Sequence, residues 1–152
     1  MTTNLVDGFV AHATANPDAP ALFVNGTFLT YGELELSARK YAHTVQQVTE
    51  EGQPLVALLA ARSEAAYAGV LGILLAGKGY VPLHPKFPLE RLARMLELSQ
   101  CTTLIVGDEC SQILESLLPL LMVEQTRSIR RICSGVSLVM PATSYGSSYG
   151  RI

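Results

Sequence analysis

Apolar residues along 1–121 form two kinds of pattern, unbroken runs and residues spaced three or four positions apart, and each pattern predicts a different element. A continuous apolar run over 55–60, which follows Gly52 and Pro54, indicates a strand buried on both faces. Over 31–48 the apolar residues fall three or four positions apart, as on one face of a helix: Leu34, Ala38, Tyr41, Ala42, Val45 and Val48. Along the whole chain, these patterns predict helices over 4–15, 31–48, 64–77, 88–98 and 109–120, and strands over 21–24, 27–30, 55–60 and 103–106.

Turn-forming residues separate these elements and indicate how they connect. Asn25-Gly26 lies between two apolar runs and predicts a tight hairpin, because both turn positions need positive φ. Gly69 and Gly72 lie within the helix over 64–77, and we expect them to allow close packing against the sheet. A short extended piece begins at 80–81 and is interrupted by prolines. The alternation predicts an α/β fold: a mainly parallel sheet flanked by helices, with an N-terminal β-hairpin.

Composition narrows the classes of function. With 49% apolar and 16% charged residues, the chain of 152 residues is expected to form a globular domain with a hydrophobic core. A net charge of −2 gives no reason to expect nucleic acid or an anionic membrane as a partner. The longest uncharged stretch of the apolar middle, 65–77, is too short to span a bilayer, and no secretory signal is seen. Three scattered cysteines do not form a zinc pattern, so we expect reduced thiols and a cytoplasmic protein.

The composition changes near Met122. Residues 1–121 carry 7 Lys and Arg against 12 Asp and Glu, whereas residues 122–152 carry 4 against 1 and hold 6 of the 11 serines. Apolar periodicity also fades after Leu121. We therefore divide the chain into a region over 1–121 and a divergent, flexible tail over 122–152 that does not complete the sheet. The sheet edge left uncovered would favour self-association.

Two segments of the chain resemble motifs of a known family. Residues 29–34 read LTYGEL, in which Thr30 and Glu33 have the spacing of a helix capping box. A longer run over 74–96 reads LLAGKGYVPLHPKFPLERLARML. Together they resemble the first two core motifs of the adenylation (AMP-binding) domains of adenylate-forming enzymes. The continuation after 88 is more similar to the amino-acid-activating domains of nonribosomal peptide synthetases than to fatty-acyl ligases.

The resemblance extends over about residues 5–121 and includes three departures. Leu75 stands where the family motif has Lys, Gly79 where it has Ala, and His84 where it has Asp. None of these is a catalytic position of the family. We therefore expect these three departures to affect local side-chain packing, and they do not argue against a relationship to the family.

The resemblance implies that the parent enzyme uses ATP and Mg²⁺ to convert a carboxylic acid into an acyl-adenylate. In that family a Gly/Ser/Thr-rich loop with a Lys holds the phosphates, and later segments supply the remaining catalytic groups. Residues 143–150 have a similar composition, but tyrosines interrupt them and no Lys follows. We therefore expect no cofactor bound by this chain and no activity of the chain alone.

No catalytic, cofactor-binding or metal-ligating residue is assigned from the sequence. His12 and His43 lie on predicted helices without a nucleophile or carboxylate arrangement, so surface positions are expected. His84 lies between two prolines, where a backbone hydrogen bond is expected. Lys78 follows a predicted helix and is expected to complement its dipole.

Several interpretations remain open at this point. The chain is a truncated or split part of an adenylation domain, whose partner is the missing remainder of that domain or a carrier domain. Alternatively it is a non-catalytic α/β interaction module, a fragment of an acyl-CoA or aryl-acid ligase, or a doubly wound small-molecule binder. The pocket that selects the carboxylic acid of the parent enzyme is expected beyond residue 152, so the substrate is not predicted.

Overall fold

The computed structural model describes residues 4–121, 129–133 and 136–141. Its helices are α1 (Asp7–Ala15), α2 (Tyr31–Val48), α3 (Glu64–Leu75), α4 (Leu89–Ser99) and α5 (Ser111–Leu117). Its strands are β1 (Pro20–Val24), β2 (Thr27–Thr30), β3 (Leu55–Leu59), β4 (Gly79–Leu83), β5 (Thr103–Val106), β6 (Arg130–Cys133) and β7 (Val136–Pro141). Short 3-10 turns, Asp108–Cys110 and Leu118–Leu120, flank α5. None of the helices in these ranges is long and apolar enough to cross a membrane.

The strands form two sheets. Strands β1 and β2 form an antiparallel hairpin with Asn25 and Gly26 at φ 51° and 78°, so the predicted turn is confirmed. The main sheet has the order β4-β3-β5-β6-β7, and its first four strands are parallel. Strand β7 is antiparallel to β6. The predicted α/β class, with a mainly parallel sheet and an N-terminal hairpin, is confirmed.

Helices cover both faces of the main sheet, and β3 shows why its sequence is apolar throughout. Val56 and Leu58 pack into a cluster with residues of α2 and α3. Ala57 and Leu59 point the opposite way, into a cluster with residues of α4 and α5. Because successive side chains of a strand alternate between faces, a strand covered on both sides needs an unbroken apolar run.

The two glycines of α3 allow two different close approaches. A Cβ atom on Gly69 would lie 3.0 Å from Cδ1 of Leu58 in the sheet, which confirms the predicted packing there. A Cβ atom on Gly72 would instead lie 2.8 Å from the carbonyl oxygen of Ala38 in α2. The expectation that both glycines face the sheet is therefore wrong for Gly72, which lets α2 and α3 approach each other.

The ends of two predicted helices differ from the sequence prediction. Helix α1 begins at Asp7 rather than at residue 4. The side chain of Asn4, ahead of the helix, donates a hydrogen bond of 2.8 Å to the carbonyl oxygen of Leu74. The helix predicted over 109–120 is α-helical only over Ser111–Leu117. Pro119 lies in the 3-10 turn that follows, because proline cannot donate the hydrogen bond that would continue the helix.

The main sheet contains strands beyond those predicted. Strand β4 includes Pro82 and lies at the sheet edge, where a missing backbone donor is tolerated. Strand β6 pairs in parallel with β5, and Ile129 and Ile132 are buried. The prediction that the chain beyond residue 121 does not complete the sheet is therefore wrong for 129–133 and 136–141. The boundary at 121 and 122 stays a prediction, and residues 122–128, 134–135 and 142–152 lie outside the described ranges.

Candidate functional site at the carboxyl edge of the sheet

The parallel strands place their carboxyl ends at one edge of the main sheet. The helix after β3 packs on one face, since Ala65, Ala68 and Ile73 belong to the cluster around Val56. The helices after β4 and β5 pack on the other face, since Leu92 and Leu114 belong to the cluster around Leu59. Open α/β sheets bind ligands at the carboxyl edge, at the point where the connecting helices change face. The loops after β3, β4 and β5 are therefore the candidate site.

A first cavity of about 360 Å³ lies at this edge beside the hairpin turn. Its lining combines hydroxyl groups with three carboxylic acids and includes Asn25, Ser37, Tyr41, Ser63, Glu64, Ala65, Asp108 and Glu109. The hydroxyl group of Ser37 donates a 3.0 Å hydrogen bond to Glu64. Lysine and arginine are absent from this described lining, so its electrostatic potential disfavours a phosphate group.

Glu109 connects two of the loops at this edge. Its Oε1 atom accepts hydrogen bonds from the backbone N–H of Ala61, at 2.8 Å, and from the hydroxyl of Ser63, at 2.9 Å. The Ser63 oxygen also accepts a 3.4 Å hydrogen bond from the N–H of Ala66 and thereby caps α3. Sequence reasoning did not identify this connection, because Ser63 and Ala61 lie 46 and 48 residues before Glu109 in the chain. The only local signal is that a serine and a glutamate follow neighbouring strands.

A second cavity of about 300 Å³ lies between the ends of β3 and β4. Its lining is mainly apolar, with one cationic side chain: Leu58, Ala60, Ala61, Arg62, Ala66, Tyr67, Val70, Pro82, Leu83 and His84. The loop over 60–63 contributes to both cavities, since Ser63 lines the first and Ala60, Ala61 and Arg62 line the second. The position of this loop therefore sets the shape of both.

The loop after β4 contains His84, which has a structural contact. Its Nδ1 atom accepts a 3.1 Å hydrogen bond from the N–H of Lys86, and its carbonyl oxygen accepts one of 2.9 Å from the N–H of Phe87. The guanidinium of Arg91 lies 3.9 Å from the centre of the Phe87 ring. The predicted backbone hydrogen bond of His84 is confirmed. These contacts fix the turn that leads into α4.

The other residues considered from the sequence lie away from this edge or on the surface. Lys78 precedes β4, at the amino edge of the sheet, and its Nζ atom donates a 2.7 Å hydrogen bond to the carbonyl oxygen of Gln53. His12 and His43 are exposed, as predicted, and the His12 ring lies 4.5 Å from that of Tyr31. Residues 143–150 lie outside the described ranges.

Cys110, in the turn after β5, lies at the carboxyl edge, whereas Cys101 precedes β5 at the amino edge, and both thiols are protected from ionisation. Burial raises the pKa of the Cys101 thiol, and a hydrogen bond with Ser99 partly opposes this shift. The pKa of the Cys110 thiol is raised by burial and by the charge of Glu109, and a backbone hydrogen bond with Ala61 lowers it in part. Thiols with raised pKa are poor nucleophiles at neutral pH. The described residues include no group of three or more His, Cys, Asp and Glu side chains suited to a metal ion.

The first sequence motif, over residues 29–34, has a structural role. Thr30 and Glu33 form the predicted capping box, with hydrogen bonds of 3.2 Å from the Glu33 N–H and 2.8 Å to the Glu33 carboxylate. Gly32 donates a 2.9 Å hydrogen bond to the carbonyl oxygen of Pro17, from which a Cβ atom on Gly32 would lie only 3.2 Å. The motif therefore fixes where α2 begins and how closely the segment after α1 approaches it.

Comparisons with known proteins agree with these motifs. The profile of the family described as AMP-binding enzyme matches residues 9–144. Surfactin synthase subunit 3 of Bacillus subtilis is 37% identical over 111 residues, which are 73% of this chain and 9% of that protein. Tyrocidine synthase 3 of Brevibacillus parabrevis is 35% identical over 119 residues, which are 78% of this chain and 2% of that protein. The chain therefore spans only a small part of the length of these curated relatives.

Solved structures show the same relationship. The nonribosomal peptide synthetase FmoA3, in a form bound to alpha-methyl-L-serine-AMP, superposes with a TM-score of 0.76 at 26% identity. The match covers 91% of this chain and 15% of that one. The structure of IdnL7 gives the same TM-score and identity, over 90% of this chain and 26% of that one. The chain belongs to the AMP-binding enzyme family, and it corresponds to the N-terminal part of an adenylation domain of the nonribosomal peptide synthetase type.

Proposed function

We propose that this chain supplies the N-terminal part of a unit that activates an amino acid with ATP for nonribosomal peptide synthesis. In that reaction a carboxylate oxygen attacks the α-phosphorus of ATP, pyrophosphate leaves, and an aminoacyl-adenylate forms. The observation that carries the proposal is the likeness to the FmoA3 form bound to an amino-acid adenylate, together with the match of residues 9–144 to the AMP-binding family. Likeness to a fatty-acid CoA ligase rests on 20% identity and supports the shared fold alone.

We propose further that the chain alone does not catalyse this reaction. Transfer at a phosphate group needs cations and oriented donors around the phosphates. The described lining of the first cavity instead carries Glu64, Asp108 and Glu109, which do not fit a nucleoside triphosphate. The sequence also lacks a Gly/Ser/Thr-rich loop followed by a Lys. ATP and Mg²⁺ therefore belong to the completed unit in this proposal.

The proposed partner is the remainder of the adenylation domain, followed by a carrier domain that receives the activated amino acid. The support for a larger assembly is that the chain matches only 9% and 2% of two long synthases. The proposed location is the cytoplasm, because ATP is available there and three free cysteines suit a reducing compartment.

Amino-acid-dependent exchange of labelled pyrophosphate into ATP tests the proposal on the purified chain. The chain is assayed with ATP, Mg²⁺ and each of the standard amino acids, beside an intact adenylation domain as the positive control. We expect exchange at the level of the enzyme-free blank with every amino acid. Reproducible exchange that depends on one amino acid would show that the chain is itself a complete adenylating enzyme.

A further inference from the structure

The carboxylate of Glu109 joins two loops that are distant in sequence. The loop over 60–63 follows β3, and the turn Asp108–Cys110 follows β5. One oxygen, Oε1, accepts from the Ala61 N–H at 2.8 Å and from the Ser63 hydroxyl at 2.9 Å. Since Ser63 also caps α3, the contact links the turn after β5 to the first turn of that helix. Hydrogen bonds to a charged acceptor are stronger than those between neutral groups.

Gly107 provides the space in which this carboxylate lies. A Cβ atom at Gly107 would come within 2.5 Å of Oε1 and 2.6 Å of Oε2 of Glu109. Its backbone does not require glycine, because φ −65° and ψ 145° are open to any residue. The N–H of Gly107 donates a 2.9 Å hydrogen bond to the carbonyl oxygen of Leu59, which holds the two strand ends together. The glycine at this position is therefore explained by the position of the Glu109 side chain.

The loop held by Glu109 is the wall that the two cavities share. Ser63 lines the cavity of about 360 Å³, and Ala61 and Arg62 line the cavity of about 300 Å³. A change in the position of this loop alters both cavities at once. The strands behind it remain paired, because β3 is hydrogen-bonded to β4 on one side and β5 on the other.

We propose that the Glu109 carboxylate acts as a latch: its hydrogen bonds to Ala61 and Ser63 hold the loop over 60–63 in place between the two cavities. The absence of a side chain at Gly107 leaves the space that this carboxylate occupies. Release of the latch frees this loop while the sheet stays folded. The proposal is independent of the adenylation proposed above, because it concerns the motion of the chain itself.

Amide hydrogen exchange of the full 152-residue chain tests this latch, with Ala61 as the reporting amide. In Glu109→Ala we expect the Ala61 amide to exchange about tenfold faster or more, whereas amides in the centres of β3 and β5 change little. In Glu109→Gln most of the protection remains, because an acceptor oxygen is retained. The matched control is Glu115→Ala, which removes an exposed acid of α5. Unchanged Ala61 exchange in Glu109→Ala, or equally faster exchange throughout the sheet, overturns the latch.

Gly107→Ala gives a second test that leaves the glutamate chemically intact. The added methyl group displaces the carboxylate, so the Ala61 amide should exchange faster in this variant as well. In the Glu109→Ala background the same methyl group has nothing to displace, and we expect it to add less than about twofold. If Gly107→Ala accelerates exchange equally in both backgrounds, the glycine is not the gap for Glu109 and the proposal is wrong.

Discussion

A methyl group placed on Gly72 would lie 2.5 Å from the Cβ atom of Tyr41, because α3 and α2 are in direct backbone contact at this point. The same methyl group would lie 2.8 Å from the carbonyl oxygen of Ala38. Neither atom is at the end of a flexible side chain, so the contact is not relieved by a rotamer change. The helix pair therefore depends on glycine at position 72, and Tyr41, Ala38 and Val45 are buried as a result.

Gly72→Ala should destabilise the chain. The better helix propensity of alanine contributes about 1 kcal/mol, but overpacking against backbone atoms costs roughly 1–3 kcal/mol. We expect a net loss of up to about 2 kcal/mol in the free energy of unfolding, measured by urea denaturation. Gly8→Ala is the matched control, since Gly8 lies in α1 with nothing within 4 Å of an added Cβ atom. It should be neutral or stabilising, and equal losses in the two variants would contradict the contact.

The capping box at the start of α2 predicts a second effect on stability. Thr30→Ala removes the acceptor for the Glu33 N–H and should cost about 1 kcal/mol of unfolding free energy. Thr44→Ala is the control within the same helix, since its hydroxyl only bonds back to the carbonyl oxygen of Lys40. That change should be neutral or slightly stabilising. A Thr30→Ala variant as stable as the original chain would show that the box contributes nothing.

The buried thiols predict a decline of stability in alkaline solution. The pKa values of Cys101 and Cys110 are raised in the folded state, so the folded chain binds these protons more tightly than the unfolded chain. Their contribution is fully present below the unfolded thiol pKa of about 8.5 and is lost as the pH rises through the folded values. Urea unfolding at several pH values should show a smaller alkaline decline in Cys101→Ala/Cys110→Ala. An identical decline in the original chain and the double variant would mean that these thiols do not contribute to the alkaline loss of stability.

The docking of β6 on the sheet predicts a large effect from Ile132. This side chain is 2% exposed and packs with the cluster between the sheet, α2 and α3. Ile132→Ala should cost about 2–5 kcal/mol, whereas Ile113→Ala, at a half-buried position of α5, should cost less. If Ile132→Ala leaves the unfolding free energy unchanged, β6 is not docked in solution, as the sequence alone had suggested.

The elements that the sequence predicted are those determined by residues close together in the chain. The period over 31–48, the Asn25-Gly26 turn and the spacing of Thr30 and Glu33 depend on residues near one another, and each is confirmed. At β4 the sequence predicted only a short extended piece from 80–81, because Pro82 is unfavourable within a sheet but is tolerated at an edge. Strand β6 was not predicted because two of its four residues are arginines and its pairing with β5 is a tertiary contact.

The site shows the same division between local and distant causes. The structural role of His84 followed from its position between two prolines and is confirmed by its bond to Lys86. The contact of Glu109 with Ser63 joins residues 46 positions apart and has no periodic signal. The reason for Gly107 is visible only when the Glu109 side chain is in place, because its own backbone angles permit any residue.

The most direct test of the account is a chimera in which residues 9–144 replace the matching segment of an amino-acid adenylation domain from a homologous synthetase. The measurement is pyrophosphate exchange that depends on the amino acid of the recipient domain. A second chimera, built with the same segment of another active relative of similar identity, serves as the control. We predict exchange by the chimera and none by the 152-residue chain alone. A folded chimera without exchange, beside an active control chimera, would contradict the assignment of this chain to an amino-acid-activating unit.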